Sequence, residues 1–296
     1  MTTTTLSLEL PVGYRFGDVL AFHGRDAEGL SEQLTRRGIR KAVLLDGVPV
    51  LLDVTLTPDT ADCRIQADGK LPGVTEAGAW SALTNMLALR IDPAPFEAFV
   101  ENDPVFWPLT ARHPGLRIVQ SATIFEALTW AIIGQQINLP FAISLRRTLI
   151  QQAGRPHSSG LWCYPEAPDV ARLDLEALTS RKFSRAKAET LLRVARMVAE
   201  GELRLFTLDD PARIVPQLLA IKGIGPWTVN YTLLRGYGYA DCSLEGDVAV
   251  RTALGRLLGE TGKPDLARTQ AWLAQYAPHR TMAAAYLWAS LGQPAA

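Results

Sequence analysis

The sequence predicts an α+β protein that is mostly helix, with a small antiparallel sheet and its helices confined to the first third. Two β-rich apolar runs meet at Asp46-Gly47, apolar residues recur at helical spacing from about residue 100, and near residue 220 the helical pattern breaks at two glycines and a proline and restarts at once. The 296 residues allow two or three domains. With 48% apolar residues, the chain has enough Leu, Ile, Val, Phe and Trp for a real core.

Residues 40–45 (RKAVLL) and 48–56 (VPVLLDVTL) read as strands joined by Asp46-Gly47, a hairpin pair because both turn positions want positive φ. Pro49 falls near a strand start, where its missing N–H is least harmful. A polar TPDTAD, then CRIQA at 63–67 and a second Asp-Gly at 68–69, extend the sheet. Helical patterns around 26–37 and 75–90 flank it, so the first hundred residues form a small α+β domain. Beyond, Ile124, Phe125, Leu128 and Ile132, then Phe141, Leu145 and Leu149, then Leu191, Leu192, Ala195 and Val198 keep the spacing of one helix face. GQQIN at 134–138, GRPHSSG at 154–160 and LEGD at 244–247 punctuate these helices. There is no repeat of fixed period.

Composition narrows the function classes. Cys63, Cys163 and Cys242 are odd in number and far apart, and His23, His113, His157 and His279 are equally scattered, which fits neither a disulfide framework nor a zinc or iron-sulfur site. No apolar run reaches the ~18 residues that span a bilayer, and the opening MTTTTLSLELPVGYRF lacks a signal peptide's basic and apolar regions. The expected location is cytoplasmic, nucleoid-associated if the source is bacterial, with no membrane partner. Net charge is zero but uneven: 9 basic against 15 acidic residues up to position 110, and 21 against 15 after it. Any polyanion is therefore expected on the second half.

In AIKGIGPWTVNYTL, residues 220–233, one helix ends at Gly223 and another starts with Pro226 in its first turn. The bare glycines leave backbone N–H groups free to face an anion, favoured by the helix dipole. A purely structural corner between two helices reads the same way. Asp247 lies 20 residues beyond Trp227, just before the helical pattern Val248, Arg251–Leu254 and Leu257. An isolated Asp there is ordinarily an N-cap.

Taken together, LLAIKGIGPWTVNYTLLRGYGYADCSLEGDVAVRTAL (218–254) resembles the hairpin and catalytic-aspartate signature of the helix-hairpin-helix DNA glycosylases, specifically their DNA-3-methyladenine glycosylase II, alkylation-repair branch. IFEALTWAIIGQQINLPFA (124–142), YLWASLGQP (286–294) and VGYRFGDVLAFHGRD (12–26) are similar to the family's DNA-inserting loop, C-terminal helix and N-terminal opening. The resemblance implies an N-terminal α+β domain over 1–98, a helical domain with the hairpin over 124–239, and a second helical domain made of 99–123 plus 240–296, with the active-site cleft between the helical pair.

It also implies roles. Gly223, Ile224, Gly225 and Thr228 of the hairpin, with Gln135 and Gln136 of the loop, would contact damaged double-stranded DNA, Gln136 filling the gap left by an extruded nucleotide. Trp227 and Tyr231, four apart on one helix face, would form the base pocket with Trp288 and Phe22, attracting a cationic alkylated purine by roughly 0.5–2 kcal/mol per ring. Trp130, Trp162 and Trp272 are expected in the core. Asp247 would stabilise positive charge on the sugar; at ~4 Å and an effective dielectric near 20 that is worth about 4 kcal/mol, or about three powers of ten in rate. Gly246 stands where near family members can carry a second acid, and Glu245 is the nearest other carboxyl; no dedicated general acid is expected. Trp227 stands where bifunctional relatives place a Schiff-base lysine, so the implied enzyme is a monofunctional hydrolase that leaves an abasic site. No cofactor, no dedicated metal beyond a possible monovalent cation on hairpin carbonyls, no obligate protein partner and a monomer are expected. The rival readings are a non-catalytic DNA-damage binder and a glycosylase/lyase acting on oxidised bases.

Overall fold

The computed structural model describes residues 2–71 and 73–292. Strands β1 (Thr2–Glu9), β2 (Glu32–Thr35), β3 (Gly38–Leu45), β4 (Val48–Leu56) and β5 (Thr60–Ala67) form one antiparallel sheet in the order β1-β5-β4-β3-β2. Asp46 and Gly47 close the β3–β4 hairpin with φ of 51° and 75°, the conformation that the Asp-Gly pair favours. The period-2 alternation divides the sheet's side chains. Val43, Val50, Leu52, Val54 and Ile65 pack with helices α1 (Phe16–His23) and α2 (Gly73–Met86), while Ala42, Leu44 and Leu51 meet Leu161 and Cys163 on the opposite face.

Two details differ from the sequence expectation and one lies outside it. Residues 26–37 are not helical: Gly29 adopts φ 60° and Glu32–Thr35 pairs as an edge strand with β3. Strand pairing outweighs the helix propensity of Glu, Gln and Leu there, because tertiary contacts override a preference of tenths of a kcal/mol. The threonine-rich start is a strand, paired along β5. Asp68-Gly69 joins no hairpin; Asp68 instead accepts hydrogen bonds from the backbone N–H and hydroxyl of Ser158.

The remainder is helical apart from a two-stranded ribbon at Arg155–Pro156 and Trp162–Cys163. Its centre is α3 (Ile124–Gly134), capped by Thr123 and buried at every position from Ile124 to Ile133. A helix apolar on nearly every face belongs inside, and its one carboxylate, Glu126, is paired. Around it lie α4 (Leu139–Ala153), capped by Asn138, and α5 (Arg185–Ala199). The hairpin helices are α6 (Pro211–Leu219) and α7 (Pro226–Thr232), the latter running into a π-turn at Leu233–Tyr237. Then come α8 (Val248–Leu257) and α9 (Arg280–Ser290). Buried side chains from Ile91 to Trp288 form one continuous cluster, separate from that of the sheet.

Sheet and helices are locked together by a buried ionic cluster. Lys41 of β3 reaches Glu32 of β2 at 3.0 Å and Glu126 of α3 at 2.8 Å, and Arg146 of α4 reaches Glu126 at 2.7 Å. His23 of α1 adds a contact to Glu32 at 2.9 Å. Among the described residues no helix is long and apolar enough to cross a membrane.

Candidate active site

The hairpin between α6 and α7 turns at Gly223, whose φ is 97°. A Cβ on Gly223 would lie 2.2 Å from the Thr190 hydroxyl oxygen of α5, so this glycine is required by packing within the protein as well as by its left-handed backbone. Gly225, the N-cap of α7, faces open space. Bareness therefore serves two different purposes, and only at Gly225 does it leave room for something from outside. Ile224 and Thr228 are buried, anchoring the turn, while Lys222, Gly223 and Pro226 are exposed. The first N–H groups of α7 have no partner one turn back.

The GQQ loop leans on this hairpin. The Gln135 side-chain amide donates to Gly223 O and to the Thr228 hydroxyl, both at 2.9 Å. Gln135 and Thr228, both expected at the DNA, are thus spent on one another through their side chains. Lys187 of α5, not singled out by sequence, donates to Ile133 O at 2.8 Å and Gln135 O at 2.7 Å, closing the C-terminus of α3. Burial lowers the pKa of this ammonium. Gln136 stands at the tip, exposed and with φ 57°.

Asp247 is the N-cap of α8, as the capping reading has it. Its Oδ1 accepts from the backbone N–H of Ala249 at 2.9 Å and Val250 at 3.0 Å. The same carboxylate receives two indole N–H groups, Trp288 on Oδ1 at 3.1 Å and Trp227 on Oδ2 at 3.0 Å. None of the four donors is a charged side chain, and Asp247 is only partly buried. Such an acid is oriented by its neighbours without being neutralised by an ion pair. Trp227 lies between two glycines: Cβ atoms on Gly246 and Gly134 would come within 3.5 Å and 3.9 Å of it.

Tyr231 stacks obliquely on Trp227, centroids 5.1 Å apart, and faces Trp288 at 6.5 Å. Phe22 joins from α1 through Arg235, whose guanidinium carbon is 5.0 Å from the Phe22 centroid and 5.7 Å from those of Tyr231 and Trp288. Trp227, Tyr231 and Trp288 therefore cluster beside Asp247, and Phe22 reaches them only by way of Arg235. Trp227 is half-exposed, but Phe22, Tyr231 and Trp288 are only 5%, 4% and 3% exposed. Trp130 is in the core as expected, yet its indole N–H also donates to the Tyr231 hydroxyl at 3.3 Å. Trp162 and Trp272 are half-buried against the core.

The cluster already contains two cations. Besides Arg235, the Arg25 guanidinium lies 3.5 Å from the Phe22 centroid and 5.4 Å from that of Trp130. Burial pushes Arg25 down to about 10, with Arg235 adding to the fall against an opposing pull from Tyr231. Burial also lowers Arg235, which is hydrogen-bonded to Tyr231. Two unit charges 5 Å apart at an effective dielectric near 20 interact by about 3 kcal/mol, more than the roughly 0.5–2 kcal/mol of one cation–π contact. Guanidiniums thus lie among the rings, which the sequence reading did not single out. Sequence carried a faint signal: Arg235 interrupts the apolar run TLLRGYG, and Arg25 sits one turn after Phe22. A cavity of about 940 Å³ between sheet and helices, bordered by Asp46, Glu126, Arg155 and Glu166, contains none of these residues.

The chain is similar to several known proteins. A sequence model of the HhH-GPD superfamily base excision DNA repair proteins matches residues 129–278. A Bacillus subtilis protein named putative DNA-3-methyladenine glycosylase YfjP is 34% identical over 181 residues, 60% of this chain and 63% of that one. The chain thus spans a little under two thirds of that relative. A second Bacillus subtilis protein, named DNA-3-methyladenine glycosylase, is 30% identical over 205 residues, 67% of each chain. A solved structure titled 3-methyladenine DNA-glycosylase from Archaeoglobus fulgidus shares the fold with a TM-score of 0.79 at 21% identity, over 96% of this chain and 97% of that one.

Proposed function

The chain belongs to the HhH-GPD superfamily of base excision DNA repair proteins, and from that premise we propose that it is a monofunctional DNA glycosylase. It flips alkylated purines of the 3-methyladenine and 7-methylguanine type out of the duplex and hydrolyses their N-glycosidic bond, leaving an abasic site. The observation that carries this reading is the carboxylate of Asp247, aimed by two helix amides and two indoles and bordering the aromatic cluster. The division into residues 1–98, 124–239 and 99–123 plus 240–296 is part of the proposal, with the hairpin closing one helical half and Asp247 opening the later part of the other. The acting form is a monomer that binds DNA without a protein partner.

The steps follow from the residues. First-turn amides of α7 and the open backbone at Gly225 hold a phosphate. Gln136 enters the stack, its loop fixed to the hairpin by Gln135 and to α5 by Lys187. The extruded base meets the aromatic rings while the sugar faces Asp247. As the C–N bond breaks, its electron pair leaves with the base, and Asp247 stabilises the positive charge left on the sugar. Water adds to the anomeric carbon; for a base already cationic, the base departs neutral and the water proton is released.

Among the described residues, the lysines near the hairpin speak against the lyase alternative. Trp227 donates to Asp247, Lys222 precedes the turn, and the Lys187 ammonium is held by carbonyls. The deciding experiment incubates the protein with methylated duplex DNA and measures free bases and strand breaks. Release of alkylpurines without nicking, abolished in Asp247→Asn with affinity for abasic DNA kept, is the expected result. Intact DNA binding with no base release from the unmodified protein favours a damage sensor, and trapping by borohydride favours a lyase.

A further inference from the structure

We propose that a second cavity, bordered by Arg15, Arg117 and Arg235, is a binding site for a phosphate group. This goes beyond the glycosylase reading and stands without it, since neither Asp247 nor Trp227, Tyr231 or Trp288 borders the cavity.

The cavity measures about 290 Å³ and lies between α1, residues 113–119 and the end of α9. Arg117 carries the inference. It is only 7% exposed, and its Nε is buried with no hydrogen-bond partner among the described residues. The neighbouring acid does not serve this guanidinium: Asp18 accepts the Arg15 side chain on its two oxygens at 2.8 Å and 3.0 Å, and from Arg117 it takes the backbone N–H, at 2.9 Å. Arg15 and Asp18 therefore cancel. Among the described residues the cavity is bordered by three guanidiniums and one carboxylate, so a positive excess remains at Arg117 and Arg235. Arg235 is held on this wall by its Nη1, which donates to Val119 O. Burial lowers the pKa of His113, with Arg15 adding to the fall, so at pH 7 its ring is neutral and can offer one N–H.

The chemistry selects the ligand. A buried guanidinium donor without an acceptor is costly, and an oxyanion relieves that cost while matching the excess charge. The planar fork of arginine fits two oxygens of one phosphate. A phosphate group brings enough acceptor oxygens and up to two negative charges for two guanidiniums and an imidazole, whereas a carboxylate brings two oxygens and one charge. Ala21 and Gly292, both exposed, leave the cavity open to solvent at one side. The group can arrive free or on the DNA backbone.

The test is calorimetric titration of the full chain with inorganic phosphate, at an ionic strength held constant with chloride. Hairpin amides of α7 are another place for phosphate, so the readout is the change caused by variants in the cavity. Arg117→Met removes the unpartnered guanidinium, and Ala21→Glu adds a carboxylate at the exposed side. Each should weaken phosphate binding about tenfold or more, while Arg117→Lys, which keeps the charge, should recover part of the affinity. Should Arg117→Met fail to fold, Ala21→Glu decides, because it alters an exposed helix position. An affinity unchanged in Ala21→Glu and lost in Gly225→Ala overturns the proposal, since the phosphate then sits at the hairpin. No saturable binding by the unmodified protein overturns it as well. Repeating the titration with saturating abasic duplex identifies the source: heat that disappears means that a DNA phosphate fills the site, and heat that persists means that a free phosphate is taken up beside bound DNA.

Discussion

Oδ1 of Asp247 starts α8 by accepting two amides, while both of its oxygens are gripped by indoles, so one side chain holds a helix together and presents a charge. The capping and catalytic readings are compatible, and substitution separates them. Asn is as good an N-cap as Asp, so Asp247→Asn should leave the melting temperature nearly unchanged while stopping base release. Asp247→Ala should lose the reaction and about 1 kcal/mol of stability, seen by urea denaturation. At Trp288 the ring and the N–H have separate roles. Trp288→Phe keeps most of the buried surface but removes the donor to Asp247, and hydrogen bonds to charged groups are worth ~1.5–3 kcal/mol. Base release should slow by about tenfold or more with a small change in affinity for abasic DNA; an equal fall in both would make the tryptophan a packing residue only.

The hairpin shows why a short element need not use like residues alike. Gly223→Ala must fit a methyl group against Thr190 at a backbone φ of 97°, and strain of this kind costs on the order of 1–3 kcal/mol. Gly225→Ala, at φ −109° and facing open space, should change stability by less than about 0.5 kcal/mol. Its added methyl should instead weaken DNA binding several-fold, which titration with labelled abasic duplex would register. If Gly225→Ala binds as well as the unmodified protein, DNA does not approach this turn closely. The π-turn that follows has a comparable logic: Gly236 admits α3, where a Cβ would come 3.1 Å from Ala127, next to Arg235, whose guanidinium lies 5.7 Å from the Tyr231 and Trp288 centroids.

At the scale of the whole molecule, the buried cluster of Glu32, Lys41, Glu126, Arg146 and His23 joins the sheet to the helices. Burial alone would raise Glu32 and Glu126, but Lys41 and Arg146 outweigh it and hold both below their usual 4.5. A carboxylate depressed in the folded state contributes stability that is present above its unfolded pKa and lost as pH falls through the folded one. The melting temperature should therefore drop as pH falls below about 4.5. Glu126→Gln should melt lower at pH 7, since removing one partner of a buried pair costs ~3–5 kcal/mol, and should lose stability less steeply in acid. An identical pH slope in the two proteins would show that the cluster does not govern acid unfolding.

Local chemistry determined what the chain could declare by itself: the turn at Asp46-Gly47, the helices with apolar faces, the glycine break before Trp227 and an acid at a helix start. Each depends on φ preference, periodicity or capping over a few neighbouring residues, and such signals survive in one dimension. Tertiary structure alone decided that residues 32–35 pair as a strand, that Thr190 requires Gly223, and that Arg25 and Arg235 meet around Phe22 from places 210 positions apart. Those outcomes depend on burial and on charges brought close through space, where low local polarity magnifies them, and no short window of sequence contains both partners.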